Sequence, residues 1–298
     1  MSADVVRFLI ENAIPYDPSQ ILADISSVRI GREPTLVAFP RCDGELLVLL
    51  RYLYASNVNY KLVGGMTNLL PSDNKYDGVI ICTSKMRDIS FCGNLMTVSC
   101  GVRLSGAIIR AAEYSLGGLE ALSGIPGTVG GMIYSNAGAF GSEISDFLVS
   151  ARLYSPSLDR EFSLDKCELS FGYRDSILKE SDYALISATL GLSSADKGDV
   201  LSEISKLKER RRATQPIGEF SLGSVFKRVG DSSAAYYIDK SGLKGYRIGG
   251  AAVSEKHAGF IVNAGGATAL DYKRLVTHIE DTVYSKYGIT LEKEVEYL

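Results

Sequence analysis

The sequence predicts an α+β protein with more than one domain, and three observations carry that expectation. Amphipathic helical stripes alternate with short β-prone runs bounded by turn residues along its 298 residues. Two glycine-rich turns, 61–70 (KLVGGMTNLL) and 123–141 (SGIPGTVGGMIYSNAGAFG), punctuate the first half. Gln215-Pro216 then stops a long basic helix, which puts a domain boundary there.

The elements follow in order. A helix over 4–12 sets Val5, Val6, Leu9 and Ile10 on one side, and a turn follows at 26–34 (SSVRIGREP). Asp43 is read as the cap of a helix whose stripe is Leu46, Leu49, Leu50 and Leu53. A strand over 59–63 delivers the first glycine turn. A β-rich lobe starts near Gly78 with GVIIC, DISFC and LMTVSC, and a helix over 104–116, patterned by Ile108, Ile109 and Ala112, leads to the central glycine stretch. Beyond it, strands at 148–153 and 183–190 flank FGYRDS. The helix over 199–212 buries Val200, Leu201, Ile204 and Leu207. Its Lys206, Lys208 and Arg210 to Arg212 are by default a solvated face, the alternative being a lining for an anionic nucleotide sugar. The last part holds a helix over 233–240, strands near 246–249 and 260–263, and a long helix opened by Thr268-x-x-Asp271. Leu275, Ile279, Val283 and Tyr287 face its core, Gly288 caps it, and a strand over 291–298 closes the chain.

Composition narrows the function classes. With 46% hydrophobic and 22% charged residues the chain reads as globular and soluble, and a net charge of -3 gives no electrostatic case for nucleic acid. Cysteines 42, 82, 92, 100 and 167 are odd in number and form no C-x-x-C pair, which argues against a disulfide framework and for a reducing cytoplasm. No basic start followed by a small-residue cleavage pattern marks a signal peptide, and apolar runs such as 46–50 fall far below the ~20 residues of a spanning helix. Two histidines, His257 and His278, leave little for a metal site, and none is expected.

Six glycines fall within 123–141, and no residue between Gly124 and Gly141 is charged. Such density marks positive φ or a close approach, by a ligand or by a neighbouring strand, and glycine count does not separate the two. Successive bare amides can cradle an anion without any lysine. Gly64 and Gly65 end the strand before the first turn, and Thr67 and Asn68 add short polar groups. Together the stretches suit a large, mostly neutral cofactor carrying one diphosphate. No G-x-G-x-x-G after a strand and no G-x-x-x-x-G-K-[ST] is present, so neither a Rossmann fold nor a P-loop is supported.

Seven motifs, in order from about residue 26 to the C-terminus, resemble the UDP-N-acetylenolpyruvoylglucosamine reductases, flavoenzymes of peptidoglycan synthesis. They are VGGMTNLL, SGIPGTVGGMIYSNAGAFGSEISD, FGYRDSILK, RRRATQP, SLGSVFK, SGLKGYRIGGAAVSEKHAGFIVNAGGATALD and LEKEVEYL. The resemblance implies a two-lobed FAD-binding domain of the vanillyl-alcohol-oxidase (PCMH) type over 1–210, with lobes at about 1–84 and 85–210, and a smaller α+β substrate domain over 211–298. It implies dissociable FAD held by Val63, Gly64, Gly65, Met66, Thr67, Asn68 and Leu69, and by Gly124, Ile125, Pro126, Gly127, Thr128, Gly130, Gly131, Asn136 and Gly138. NADPH is the implied hydride donor of a cytoplasmic oxidoreductase, monomeric or weakly oligomeric, with a small-molecule substrate and no nucleic-acid or membrane partner.

The reaction so implied reduces an enolpyruvyl ether. Hydride passes from NADPH by way of FAD to the terminal alkene carbon, leaving an enolate that needs a cation at its carboxylate and a proton at the ether carbon. Motif by motif, Arg174 would grip the carboxylate through its planar fork, Ser224 would protonate the enolate with help from Lys227 or Arg228, and Glu294 would assist Arg174. Read without the motifs, Arg174 is a surface arginine paired to Asp175, Ser224 a turn residue, and Glu292, Glu294 and Glu296 solvated. Three departures stand beside the matches: Arg32 for a glycine, Phe140 for a tyrosine, and Arg228 for an asparagine expected at the substrate diphosphate, where Lys227 and Arg228 are candidate ligands. The 50 residues between Arg174 and Ser224 leave no room for the extra tyrosine-bearing loop of one subclass, so the shorter subclass is expected. The alternatives are another flavin oxidoreductase on the same domain, or a non-catalytic flavin or nucleotide-sugar binding homologue.

Overall fold

Hydrophobic patterning and turn placement build two units from interleaved stretches in the computed structural model, which describes residues 2–298. The first holds the chain up to Ser19, Leu36–Gly65 and Asp77–Glu209; the second holds Gln20–Thr35, Met66–Tyr76 and Arg210–Leu298. A single cut at residue 210 therefore describes only part of the division. The SSVRIGREP turn and half of the first glycine turn fold with the C-terminal residues. The helices are α1 (Ser2–Glu11), α2 (Leu22–Ile25), α3 (Asp43–Ala55), α4 (Leu104–Glu113), α5 (Val129–Tyr134), α6 (Lys197–Thr214), α7 (Ala234–Lys240) and α8 (Ala269–Tyr287). Among the described residues no helix is long and apolar enough to cross a membrane.

The first unit carries two larger sheets and two two-stranded pairs, Gly138–Ala139 with Ser142–Glu143 and Leu116–Gly117 with Ser193–Ser194. One of the larger sheets orders the strands Tyr16–Ile21, Pro34–Ala38, Val79–Cys82 and Tyr60–Val63, with Val79–Cys82 parallel to the strands on either side of it. GVIIC thus belongs to this first sheet. The second, antiparallel sheet begins at Ile89–Cys92 and continues through Leu95–Ser99, Ala184–Gly191, Leu148–Ser155 and Arg160–Asp165. The last of these was not expected; its alternation is short, with only Phe162 and Leu164 turned to the core and half-buried.

The α3 stripe of Leu46, Leu49, Leu50 and Leu53 is wholly buried, joined by Val5 and Leu9 of α1, while Phe8 stacks on Tyr52 at 3.8 Å. Ile10 lies 62% exposed, since one residue past Leu9 turns the helix by about 100°. Cys42, not Asp43, is the N-cap of α3; Asp43 is the first helical residue, and its carboxylate accepts from Arg152 Nη1 at 2.8 Å and Ser99 Oγ at 3.3 Å. The expected helix to 116 ends at Glu113, with Ile109 outward, and Leu116–Gly117 pairs with Ser193–Ser194. In α6, Val200 and Ile204 face the core one turn apart, whereas Leu201 is exposed and Leu207 half-buried.

The second unit is an antiparallel sheet in the order Ser221–Ser224, Phe260–Asn263, Ala251–Val253, Arg247–Ile248, with α8 packed on the last two strands. The predicted cap of α8 is present in full: Thr268 Oγ1 accepts from Asp271 N at 3.0 Å, Asp271 Oδ2 accepts from Thr268 N at 3.1 Å, and Gly288 closes the helix at φ 67. Leu275, Ile279 and Val283 are buried, but Tyr287 is not. A spacing of four overruns the helical turn by about 40° each time, so the fourth residue has left the stripe. Of the closing strand only Glu296–Tyr297 forms, parallel to Leu69–Leu70.

Candidate active site

The two glycine stretches meet inside the first unit. A Cβ on Gly64 would lie 2.2 Å from Thr128 Oγ1, which puts the end of strand Tyr60–Val63 against the entry to α5. Around this crossing Thr83 Oγ1 donates to Val63 O at 3.2 Å and Cys82 Sγ to Gly64 O at 3.6 Å. A Cβ on Gly130 would approach Cys100 O to 2.9 Å, and one on Gly138 would approach Ser142 O to 2.6 Å. At Gly64, Gly130 and Gly138 the protein's own neighbouring segments therefore require glycine. Gly131 differs, with no atom nearer than 3.7 Å to its Cβ position.

The amides divide in the same way. Val129 N, Gly130 N and Gly131 N are satisfied by Val102 O, Cys100 O and Thr128 Oγ1. The amide nitrogens of Gly65, Gly127 and Thr128 have no acceptor among the described residues, and the Ser123 hydroxyl is buried without a partner. Thr128 and Ser123 are buried and Gly65 and Gly127 half-buried, and buried donors left unmade are costly unless a ligand completes them. Uncharged amides on both sides of the Gly64–Thr128 crossing suit the diphosphate of a flavin dinucleotide, so the residues present fit that cofactor. Ser123 is the addition here; its trace in the sequence is no more than a hydroxyl before a glycine turn.

Other residues expected at the cofactor are placed differently. Met66, Thr67, Asn68 and Leu69 belong to the second unit, where Met66 O accepts from Ser27 N at 3.2 Å and Asn68 Nδ2 donates to Glu294 O at 2.9 Å. Asn136 turns its amide into the protein. It donates to Glu143 Oε2 at 2.8 Å and Gly172 O at 2.9 Å, accepts from Ser145 N at 3.3 Å, and is 2% exposed.

Arg174 sits in a tight turn in which Gly172 and Asp175 exchange backbone hydrogen bonds, and its own φ is +57. A non-glycine residue held there stores roughly 1–2 kcal/mol of strain. Its guanidinium donates from Nη1 to Asn136 O at 3.2 Å and to Glu143 Oε1 at 3.4 Å, and from Nη2 to Gly138 O at 3.0 Å. Lys179 Nζ donates to the Arg174 carbonyl at 2.9 Å. The side chain is 16% exposed. The reading of a surface arginine paired to Asp175 is thereby replaced, since Asp175 Oδ1 accepts from Ser176 N.

Ser224 and Glu294 come together in the second unit. Ser224 ends its strand opposite Phe260, and the next residue, Val225, accepts from Glu294 N at 2.8 Å. Ser224 is exposed and Glu294 half-buried. The cations expected to assist Ser224 have other contacts: Lys227 Nζ meets Glu292 Oε1 at 2.5 Å, and Arg228 Nη2 donates to Asp231 O at 2.6 Å. At the first departure, Gly31 takes the positive φ of +98 and Arg32 does not, so that arginine is accommodated without strain. Phe140 has φ +53 and is 40% exposed.

Comparison with known proteins identifies the family. Residues 34–157 match the FAD binding domain family, and residues 215–298 match the C-terminal domain of UDP-N-acetylenolpyruvoylglucosamine reductase. The reductase of that name from Caldicellulosiruptor saccharolyticus is 41% identical over 93% of this chain and 90% of its own length. That from Streptococcus suis is 37% identical over 99% and 97%. The crystal structure of the Thermus caldophilus enzyme superposes with a TM-score of 0.81 at 29% identity, covering 95% of this chain and 99% of that one. The chain belongs to the UDP-N-acetylenolpyruvoylglucosamine reductase family.

Proposed function

We propose that this protein is a cytoplasmic FAD-containing oxidoreductase that uses NADPH to reduce UDP-N-acetylglucosamine enolpyruvate to UDP-N-acetylmuramate for the cell wall. The observation that carries this reading is the crossing of Gly64 on Thr128, where unsatisfied uncharged donors gather in a chain of this family. When bound, FAD supplies the hydride relay between NADPH and the terminal alkene carbon. Gly65, Gly127, Thr128 and Ser123 hold the diphosphate through N–H and O–H donors and exclude water from it. Arg174 binds the substrate carboxylate, where negative charge grows as the alkene accepts hydride, and Glu294 orients that same end of the substrate. The Ser224 hydroxyl gives its proton to the ether carbon and is reprotonated from solvent, so the double bond gains one hydride and one proton. Lys227 and Arg228 face the sugar-nucleotide diphosphate. NADPH and the sugar nucleotide occupy one site in turn, since both must reach the same cofactor face.

The test is optical. The purified protein should be yellow, bleach with NADPH in the absence of oxygen, and recolour when the enolpyruvyl nucleotide is added. A colourless protein, or a reduced one that the nucleotide does not recolour, contradicts the proposal. Ser224→Ala should bleach at the normal rate and recolour at least about a hundredfold more slowly, the range expected when a proton donor is removed. Full turnover in that variant would remove Ser224 from the role.

A further inference from the structure

We infer that Glu143 is a positioning residue for Arg174, holding the guanidinium in the one orientation in which it meets the enolpyruvyl carboxylate. The inference rests on the proposed reductase reading and deepens it. Of the three acceptors named around the guanidinium, Asn136 O and Gly138 O are neutral, and Glu143 brings the charge. Glu143 is itself fixed from several sides. Its Oε2 accepts from the buried amide of Asn136, which also grips Gly172 O at the start of the Arg174 turn. Its backbone N donates to Asp146 Oδ2 at 2.8 Å, and its side chain caps the turn Ile144–Asp146 in return. Its stem packs so closely on Gly138 that a Cβ there would fall 2.7 Å from Glu143 Cγ. One frame of Asn136, Gly138 and Glu143 therefore grips the fork of a residue whose own backbone is held at positive φ.

Two consequences follow from the charge. Glu143 lowers the net positive field at Arg174, so it weakens the pull on an anionic substrate in the ground state. It also removes rotational freedom from the guanidinium, and misplacement of a positioning group by about 1 Å can cost up to a hundredfold in rate. Removing the charge while keeping the shape should therefore separate binding from turnover.

Glu143→Gln is the variant, because glutamine retains an acceptor for the turn it caps. Flavin content and the rate of bleaching by NADPH should match the wild type, while recolouring by the enolpyruvyl nucleotide slows about tenfold, equal to about 1.4 kcal/mol. Calorimetric titration of that nucleotide into the oxidised protein, with no NADPH present, should show equal or tighter binding. Recolouring at the wild-type rate would overturn the inference, as would equal slowing of both half-reactions, the mark of a distorted cradle, or a parallel loss of affinity. If Glu143→Gln holds no flavin, Glu143→Asp, which keeps the charge on a shorter stem, is put to the same ratio test with a smaller expected loss. Wild-type protein that the nucleotide fails to recolour would instead overturn the activity on which this inference stands.

Discussion

Arg174 and the pair Ser224–Glu294 are held in opposite ways. Arg174 occupies a strained turn and is fixed through its side chain, by two carbonyls and a carboxylate from 136–143. Ser224 and Glu294 lie on adjacent backbone segments joined by main-chain hydrogen bonds at Val225, with Asn68 Nδ2 pinning Glu294 O. Side-chain frames tolerate little substitution at their members. Backbone ladders tolerate it well but depend on the ladder remaining intact.

The largest effect should come from Arg174→Lys. Charge is conserved, but an ammonium cannot reproduce the planar fork that spans Asn136 O and Gly138 O. Turnover should fall by about a hundredfold or more, on the scale of losing one preorganised donor, while flavin content stays close to wild type and stability falls by about 1–3 kcal/mol as the carbonyls lose their donor. Steady-state NADPH oxidation dependent on the enolpyruvyl nucleotide measures it. A fully active lysine variant would mean that positive charge suffices and that the frame has no catalytic purpose.

Next come two glycines of the cradle that the sequence does not distinguish. Gly64→Ala drives a methyl against Thr128 Oγ1 at 2.2 Å and should destabilise by roughly 1–3 kcal/mol, the usual cost of overpacking. Gly131→Ala meets nothing nearer than 3.7 Å in a helical turn, so its thermal midpoint should hold or rise slightly, alanine being the better helix former by about 1 kcal/mol. Under the proposed function, flavin titration of the Gly131 variant should nonetheless show weakened binding, because a methyl there stands on the exposed side of amides proposed to hold the diphosphate. Unchanged flavin affinity in that variant would remove Gly131 from the cofactor contacts.

These glycines also show what a sequence can and cannot carry. Their density between 123 and 141 announced a close approach, which at Gly130 and Gly138 is backbone on backbone, while Gly127 N and Thr128 N have no acceptor among the described residues. Telling one from the other takes the position of Cys100 O or Ser142 O, which no local pattern encodes. Asn136 is a similar case, since the motif resemblance implied a ligand contact, while its amide partners Glu143 and Gly172 lie 7 and 36 residues away. The α8 cap was legible because all its parts fall within four residues. The assignment of Gln20–Thr35 and Met66–Tyr76 to the second unit was not, because it depends on where Val28, Ile30 and Leu70 are buried.

Asn68→Ala tests the backbone-built side. It removes the bond from Nδ2 to Glu294 O and should cost about 1 kcal/mol, the ordinary worth of one such hydrogen bond. Recolouring by the nucleotide should slow several-fold and bleaching by NADPH should not. An effect as large as that of Arg174→Lys would erase the distinction between the two regions.

The smallest effect concerns the helix that backs the second unit's sheet, where order rests on one carboxylate. Backbone donation from Thr268, opposed in part by desolvation, holds the Asp271 carboxyl below its usual range. A carboxyl depressed in the folded state contributes stability that is fully present above its unfolded value, near 4, and that drains away as pH falls through the lower folded value. Asp271→Asn keeps the shape but loses the charge at the first turn of α8, so at neutral pH it should lower stability by about 0.5–1 kcal/mol. As pH falls from about 4 through the lower folded value the two melting curves should converge, because only there does the wild type lose the same charge. A gap that stays constant from pH 7 to pH 3 would show that Asp271 acts through shape alone, and that α8 depends on its cap no differently from the way Glu294 depends on Asn68.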